Sequence, residues 1–227
     1  MVSLLASLIV AASVSVGSYF AFEPVRAGTL RVWMMVLIPN ATFGLYALTR
    51  LRADRELRER LLPKWGDLSR GFFAAAVLFV CAYAFNRYLI DGRATPMAWL
   101  SRVYTQVGAS RLVQTSSLPW FALVALIATS EELTWRLLVT RLLENVAKER
   151  AWLVSALLYS LAHAPTMWAL RAANGSLNPL LVIAALGAGV VWGGVARIFG
   201  RVAPSVVSHV LFDWAVLFLF PLYVPHA

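Results

Sequence analysis

Charge is scarce in this sequence. Of its 227 residues only 14% are charged and 60% are hydrophobic, against roughly 25% and 45–50% in soluble globular domains, and the mean hydropathy is +0.72. That balance excludes an ordinary water-soluble fold. Cysteine is scarcer still: Cys81 stands alone inside an apolar run, which excludes a disulfide framework and a cysteine-based metal site and leaves a small core or lipid-facing residue. There is no His-Glu-x-x-His pair and no serine in a nucleophile-elbow setting, so the signatures of zinc metalloproteases and α/β-hydrolases are missing. No internal repeat or low-complexity tract is present. The first 22 residues lack the basic start of a cleaved signal, and their apolar stretch exceeds the usual h-region of about 7–15 residues, so they read as a span.

Long apolar runs are what the chain has instead. Seven of them, bounded by charge or by Pro and Gly, cover residues 3–22, 30–49, 71–90, 118–140, 151–170, 179–196 and 203–224. At roughly 20 apolar residues per crossing they predict an all-α, polytopic transmembrane bundle folded as a single domain over 1–227. Residues 91–117, amphipathic around Met97 to Val113, either lie in the interface or add a further short span, for about seven to eight in all.

The net charge of +9 does not form the interleaved basic patch of a nucleic-acid surface; it sits in the gaps between runs. Arg50, Arg52, Arg55, Arg58, Arg60, Lys64 and Arg70, with Arg141, Lys148, Arg150, Arg197 and Arg201, fall in alternate gaps on one side. Arg26, Arg31, Arg87, Arg93, Arg102, Arg111 and Arg171 fall on the other, and Arg136 lies inside a run. The positive-inside rule makes the richer side cytoplasmic and places the N-terminus inside. In residues 50–64, Asp54, Glu56 and Glu59 alternate with the arginines at helical spacing, which predicts a solvated, salt-bridged extension.

Two runs carry ionisable groups in their middles. Glu131 and Glu132 lie about 13 residues into the fourth run, roughly 20 Å along a helix, at a depth where a carboxylate is costly unless it is paired or faces water. Glu132 and Arg136 are four apart and form a pair on one face. Glu131 projects about 100° away and needs a partner from another helix. His163, in the fifth run, follows Tyr159 by four residues and precedes Pro165, which loosens the helix there. His209, in the last run, is followed one turn later by Asp213, whereas His226 stands at the chain end. Polar groups at membrane depth face the bundle interior, so these three runs are expected to converge on one site.

A carboxylate such as Glu131 in a dry cavity is a competent general base toward water, His163 can orient the same water, and His209 can donate to the oxyanion of a tetrahedral intermediate with Asp213 orienting it. The expected chemistry is hydrolysis without metal or other cofactor. Three other readings of the same residues stay open: a proton-coupled transporter, a zinc site built from Glu131, Glu132, His163 and His209, and a non-catalytic scaffold that uses polar contacts for helix association.

The motifs Glu131-Glu132-x-x-x-Arg136, Tyr159-x-x-x-His163 and His209-x-x-x-Asp213, in that order and each on its own run, with the glycine-rich GAGVVWGGVARIFG before the last, resemble the CAAX protease and bacteriocin-processing (Abi) family of glutamic intramembrane proteases. The resemblance covers residues 118–215 as a catalytic core. It implies an intramembrane endopeptidase of the bacterial cytoplasmic membrane, acting near the C-terminus or leader of a membrane-associated protein or peptide. In it Glu131 and His163 activate water, Glu132, Arg136 and Tyr159 support the site, and His209 with Asp213 forms the oxyanion side. Members also include immunity factors, so a non-catalytic membrane immunity role is a further alternative. Two positions depart from the family pattern: Tyr159 stands where Phe is usual, and Asp213 where prenyl-protein endopeptidases often have Asn, whose amide donates to an oxyanion as an ionised carboxylate cannot. The oligomeric state is not assigned.

Overall fold

A computed structural model describes residues 2–50, 54–108 and 117–223, and every regular element among them is helical. Arg52, Arg111, His226 and the end of the amphipathic stretch beyond residue 108 lie outside the described residues. In chain order the helices are α1 (Val2–Ala21), α2 (Leu30–Arg50), α3 (Arg55–Leu61), α4 (Asp67–Phe85), α5 (Ala94–Val107), α6 (Ser117–Glu132), α7 (Thr140–Ala147), α8 (Ala151–Ala162), α9 (Thr166–Ala169), α10 (Leu180–Phe199) and α11 (Ala203–Trp214). Wider π-helical turns continue α4 over Asn86–Ile90, join α6 to α7 over Leu133–Val139, and extend α11 over Ala215–Leu219.

Each of the seven apolar runs forms helix, but they are not equivalent. Val2–Ala21, Leu30–Arg50, Asp67–Ile90 and Leu180–Phe199 are long and apolar enough to cross a bilayer, and Ala203–Leu219 is a shorter apolar helix. The fifth run breaks at His163: α8 has 12 residues and ends before Pro165, so its rise of about 18 Å falls short of a hydrocarbon core of about 30 Å. α5, with 14 residues ending on the left-handed Gly108, rises about 21 Å and is likewise too short to cross alone. Outward faces stay apolar, as at Phe73 and Ile198, which are 72% and 76% exposed. Such surface suits lipid contact and marks an integral membrane protein.

Small residues let the helices approach. In α1 the buried residues Ser7, Val10, Ala11, Val14, Ser18 and Ala21 recur every three to four positions and form one stripe. Gly17 on the same helix lies so close to α2 that a Cβ would stand 2.8 Å from the Met35 carbonyl oxygen. At α4 and α11, which pack extensively, a Cβ on Gly71 would stand 2.5 Å from Cβ of Val207. The arginine-rich segment folds as expected: Asp54 caps α3 by accepting from the Leu57 N–H at 3.1 Å, a bond that, with Arg141 alongside, holds its carboxyl below the usual range. Salt bridges from Arg60 to Glu144 at 2.6 Å and from Arg141 to Asp54 at 3.2 Å tie this segment to α7.

Candidate active site

Glu131 and Glu132 close α6, immediately before the π turn, a feature often found at functional sites. The widened turn leaves the Trp135 carbonyl able to accept from the hydroxyls of Thr140 at 2.9 Å and Ser155 at 2.8 Å, which fixes α6 against α8. Both acids are buried, at 5% and 0% exposure. As adjacent helical residues they point to different neighbours.

Glu131 finds the partner on another helix that its position demands. The Tyr159 hydroxyl of α8 donates to its Oε2 at 2.7 Å, and Nε2 of His209 lies 3.9 Å from the same oxygen. Glu132 turns away from the cavity: its Oε1 accepts from Nδ1 of His209 at 2.9 Å, while Oε2 stands 3.4 Å from Nε of Arg136. That contact is an ion pair without a hydrogen bond. Arg136 also lies over two aromatic faces, 4.9 Å from the centre of the Tyr159 ring and 5.6 Å from that of Trp192, contacts that stabilise a desolvated guanidinium.

His209 is held on three sides. Glu132 grips Nδ1, Asp213 stands 3.4 Å from Nε2, and the Trp192 indole stacks on the imidazole at 3.6 Å and 18°. The Trp192 N–H donates to Ser208 at 3.2 Å, so the indole itself is anchored. The sequence reading gave Asp213 the task of orienting His209; the shorter, hydrogen-bonded contact is from Glu132, and Asp213 sits beside the nitrogen that faces the cavity. Trp192 was not singled out from sequence. Its only signal is being the single Trp of the glycine-rich GAGVVWGGVARIFG run.

His163 lies where α8 unwinds. Nδ1 sits 2.8 Å from the Tyr159 carbonyl; since a carbonyl only accepts, Nδ1 carries the proton and Nε2 is left as an acceptor. Tyr159 thus touches both partners, its carbonyl on His163 and its hydroxyl on Glu131. Glu131, Tyr159, His163, His209 and Asp213 all line one cavity of about 470 Å³. Its other walls are mainly apolar and come partly from α1, α2, α4 and α5, through Val14, Val32, Leu78 and Leu100 among others. All seven residues expected at the site are therefore together, five facing the cavity and Glu132 and Arg136 behind it. Among the described residues no three His, Cys, Asp or Glu side chains are grouped so as to hold a metal ion.

Residues 113–215 match the family model described as type II CAAX prenyl endopeptidase Rce1-like. Over that segment the chain is similar to this family. The segment runs from α6 through α11 and carries all seven site residues, as the resemblance over 118–215 anticipated. Helices α1 to α5 precede the Rce1-like segment yet supply part of its cavity wall. No curated protein and no solved structure matches the chain.

Proposed function

We propose that this chain is a metal-independent intramembrane endopeptidase of the glutamic type, cleaving a membrane-associated protein or peptide near its C-terminus or leader. The observation that carries the reading is Glu131: a buried carboxylate with one hydrogen bond, facing a largely apolar cavity that also holds His163, His209 and Asp213. An apolar substrate segment suits such walls, and the polar groups gather at one place where a peptide bond can be attacked.

The chemistry follows from the donors and acceptors. A water held between the Glu131 carboxylate and Nε2 of His163 gives its proton to Glu131 as its oxygen attacks the scissile carbonyl carbon. His209 acts as the imidazolium, its Nδ1–H held by Glu132 and its ring by Trp192, so that Nε2–H donates to the oxyanion that forms. Glu131 then passes the proton to the leaving nitrogen as the C–N bond breaks, which returns the carboxylate and balances the step. Tyr159 holds Glu131 through both stages. The whole chain acts as one domain with its catalytic core in 118–215, set in the bacterial cytoplasmic membrane with the N-terminus inside.

The test is a set of variants in purified protein reconstituted in bilayers, with cleavage of membrane peptides followed by mass spectrometry. Glu131→Gln keeps the shape and removes the basicity, so turnover falls about 10²–10⁴-fold with the melting temperature unchanged. His163→Ala falls similarly, and the double variant is scarcely worse than either single one, because groups acting as one unit are non-additive. Chelators leave the parent protein unaffected. Near-normal cleavage by Glu131→Gln, or loss of turnover on chelation with recovery on adding zinc, would refute the proposal.

A further inference from the structure

A second cavity, of about 320 Å³, opens on the opposite side of the catalytic residues, between α3, α7, the start of α8 and the end of α10. Its character is the reverse of the first. Glu56, Arg60, Glu144, Lys148, Arg197 and Arg201 stand on its walls, and all belong to the arginine-rich side of the molecule. Most are paired: Arg60 with Glu144 at 2.6 Å and with Glu56, Arg197 with Glu149, and Arg201 with Asp67 at 2.8 Å. Opposed charges that cancel do not make a cup for an ion of one sign. They make a wettable wall, and the volume far exceeds the roughly 10–15 Å³ one water requires.

At the inner end of this cavity is Arg136, 3% exposed. Its Nε, Nη1 and Nη2 have no hydrogen-bond partner among the described residues, although guanidinium nitrogens are obligate donors. These donors border the polar cavity, the nearest space able to hold water. The same guanidinium covers the Tyr159 and Trp192 rings, and both rings also line the catalytic cavity. The Arg136 side chain and the two aromatic rings it covers thus stand between the two cavities.

Hydrolysis consumes one water per bond cut, and an apolar segment filling the 470 Å³ cavity closes that side to water. We propose that the charged cavity is the entry path of the hydrolytic water, with Arg136 as its inner gate, an inference that rests on the peptidase reading. The water passes along the Arg136 guanidinium to the Tyr159 and Glu131 side while substrate occupies the apolar cavity. Entry and substrate docking then use opposite faces of the site.

The experiment uses the full chain in bilayer nanodiscs, in a Cys81→Ser parent against which all rates are compared. Ala196→Cys places a thiol on the wall of the charged cavity, and Ile198→Cys places one on the exposed outer face of the same helix as control. Thiols are modified with a trimethylammonium-ethyl thiosulfonate, too large to leave the cavity open, or with its methyl counterpart. The expected result is ready labelling at Ala196→Cys and a fall in kcat of about tenfold or more with KM unchanged. Methylation has a smaller effect, and labelled Ile198→Cys is normal. Thr140→Cys on the facing wall repeats the measurement if Ala196→Cys does not fold. Failure to label at either position, or labelling with kcat unchanged, overturns the proposal. A rise in KM alone also overturns it, because the cavity then belongs to the substrate site. Absence of peptidase activity in the unsubstituted chain instead counts against the functional reading, and the water-entry role falls with it.

Discussion

Two adjacent glutamates divide the work of this site because helical geometry turns them about 100° apart. Glu131 faces the cavity with a single hydrogen bond from Tyr159, and Glu132 binds His209 and faces Arg136 with no exposure at all. Arg136 therefore has a structural debt to Glu132 as well as a place in the site. Arg136→Ala leaves a fully buried carboxylate without its countercharge, a loss on the order of 3–5 kcal/mol for a buried pair broken on one side. Folded yield and the detergent melting temperature should fall together with activity. A variant that melts like the parent while losing all turnover would show that Arg136 acts on the reaction rather than on the fold.

At the scale of elements, the site depends on interruptions of regular helix. In the π turn after Glu132 the Trp135 carbonyl accepts two hydroxyls as well as the Thr140 N–H, and the break before Pro165 sets His163 at a helix end rather than in a continuous span. The position of His209 depends on packing two residues away: Val207 on α11 touches α4 at Gly71, where a Cβ would meet Val207 at 2.5 Å and the Pro204 carbonyl oxygen at 2.7 Å. Neither neighbour is the free end of a flexible chain. Gly71→Ala should thus push the helices apart at a cost of about 1–3 kcal/mol, seen as a lower melting temperature and reduced turnover. An unchanged melting curve would mean that α4 and α11 can separate without cost.

Across the whole molecule, the two faces differ in charge. The arginine-rich segments gather around the charged cavity, and the apolar cavity opens away from them, walled by α1, α2, α4 and α5. If the richer side is cytoplasmic, Arg58→Cys in the Cys81→Ser background is labelled by an impermeant reagent only from the cytoplasm, and Arg102→Cys only from the opposite side. Labelling of Arg102→Cys from the cytoplasm alone would reverse the orientation and place the water path on the other face of the membrane.

Sequence alone determined the helical class and the membrane setting, and it named seven polar or aromatic residues that the fold brings together. Those follow from local properties: run length, the spacing of Glu132 and Arg136, and the cost of bare charge at membrane depth, which forces such groups inward wherever the helices lie. Sequence also required a partner for Glu131 from another helix without naming it. Tertiary structure chose Tyr159 for that role, and it gave His209 to Glu132 more closely than to Asp213. It alone brought Trp192 onto His209 and drew the N-terminal helices into the cavity wall. Each of these joins residues on different helices, and a spacing rule reaches only one or two turns of the same helix. Among the described residues, four helices have by themselves the length and apolarity to cross a bilayer, and the last run forms a shorter apolar helix. The ionisable groups and breaks that make the fourth and fifth runs exceptional are tolerated because neighbouring helices enclose them, and that enclosure exists only once the bundle has formed.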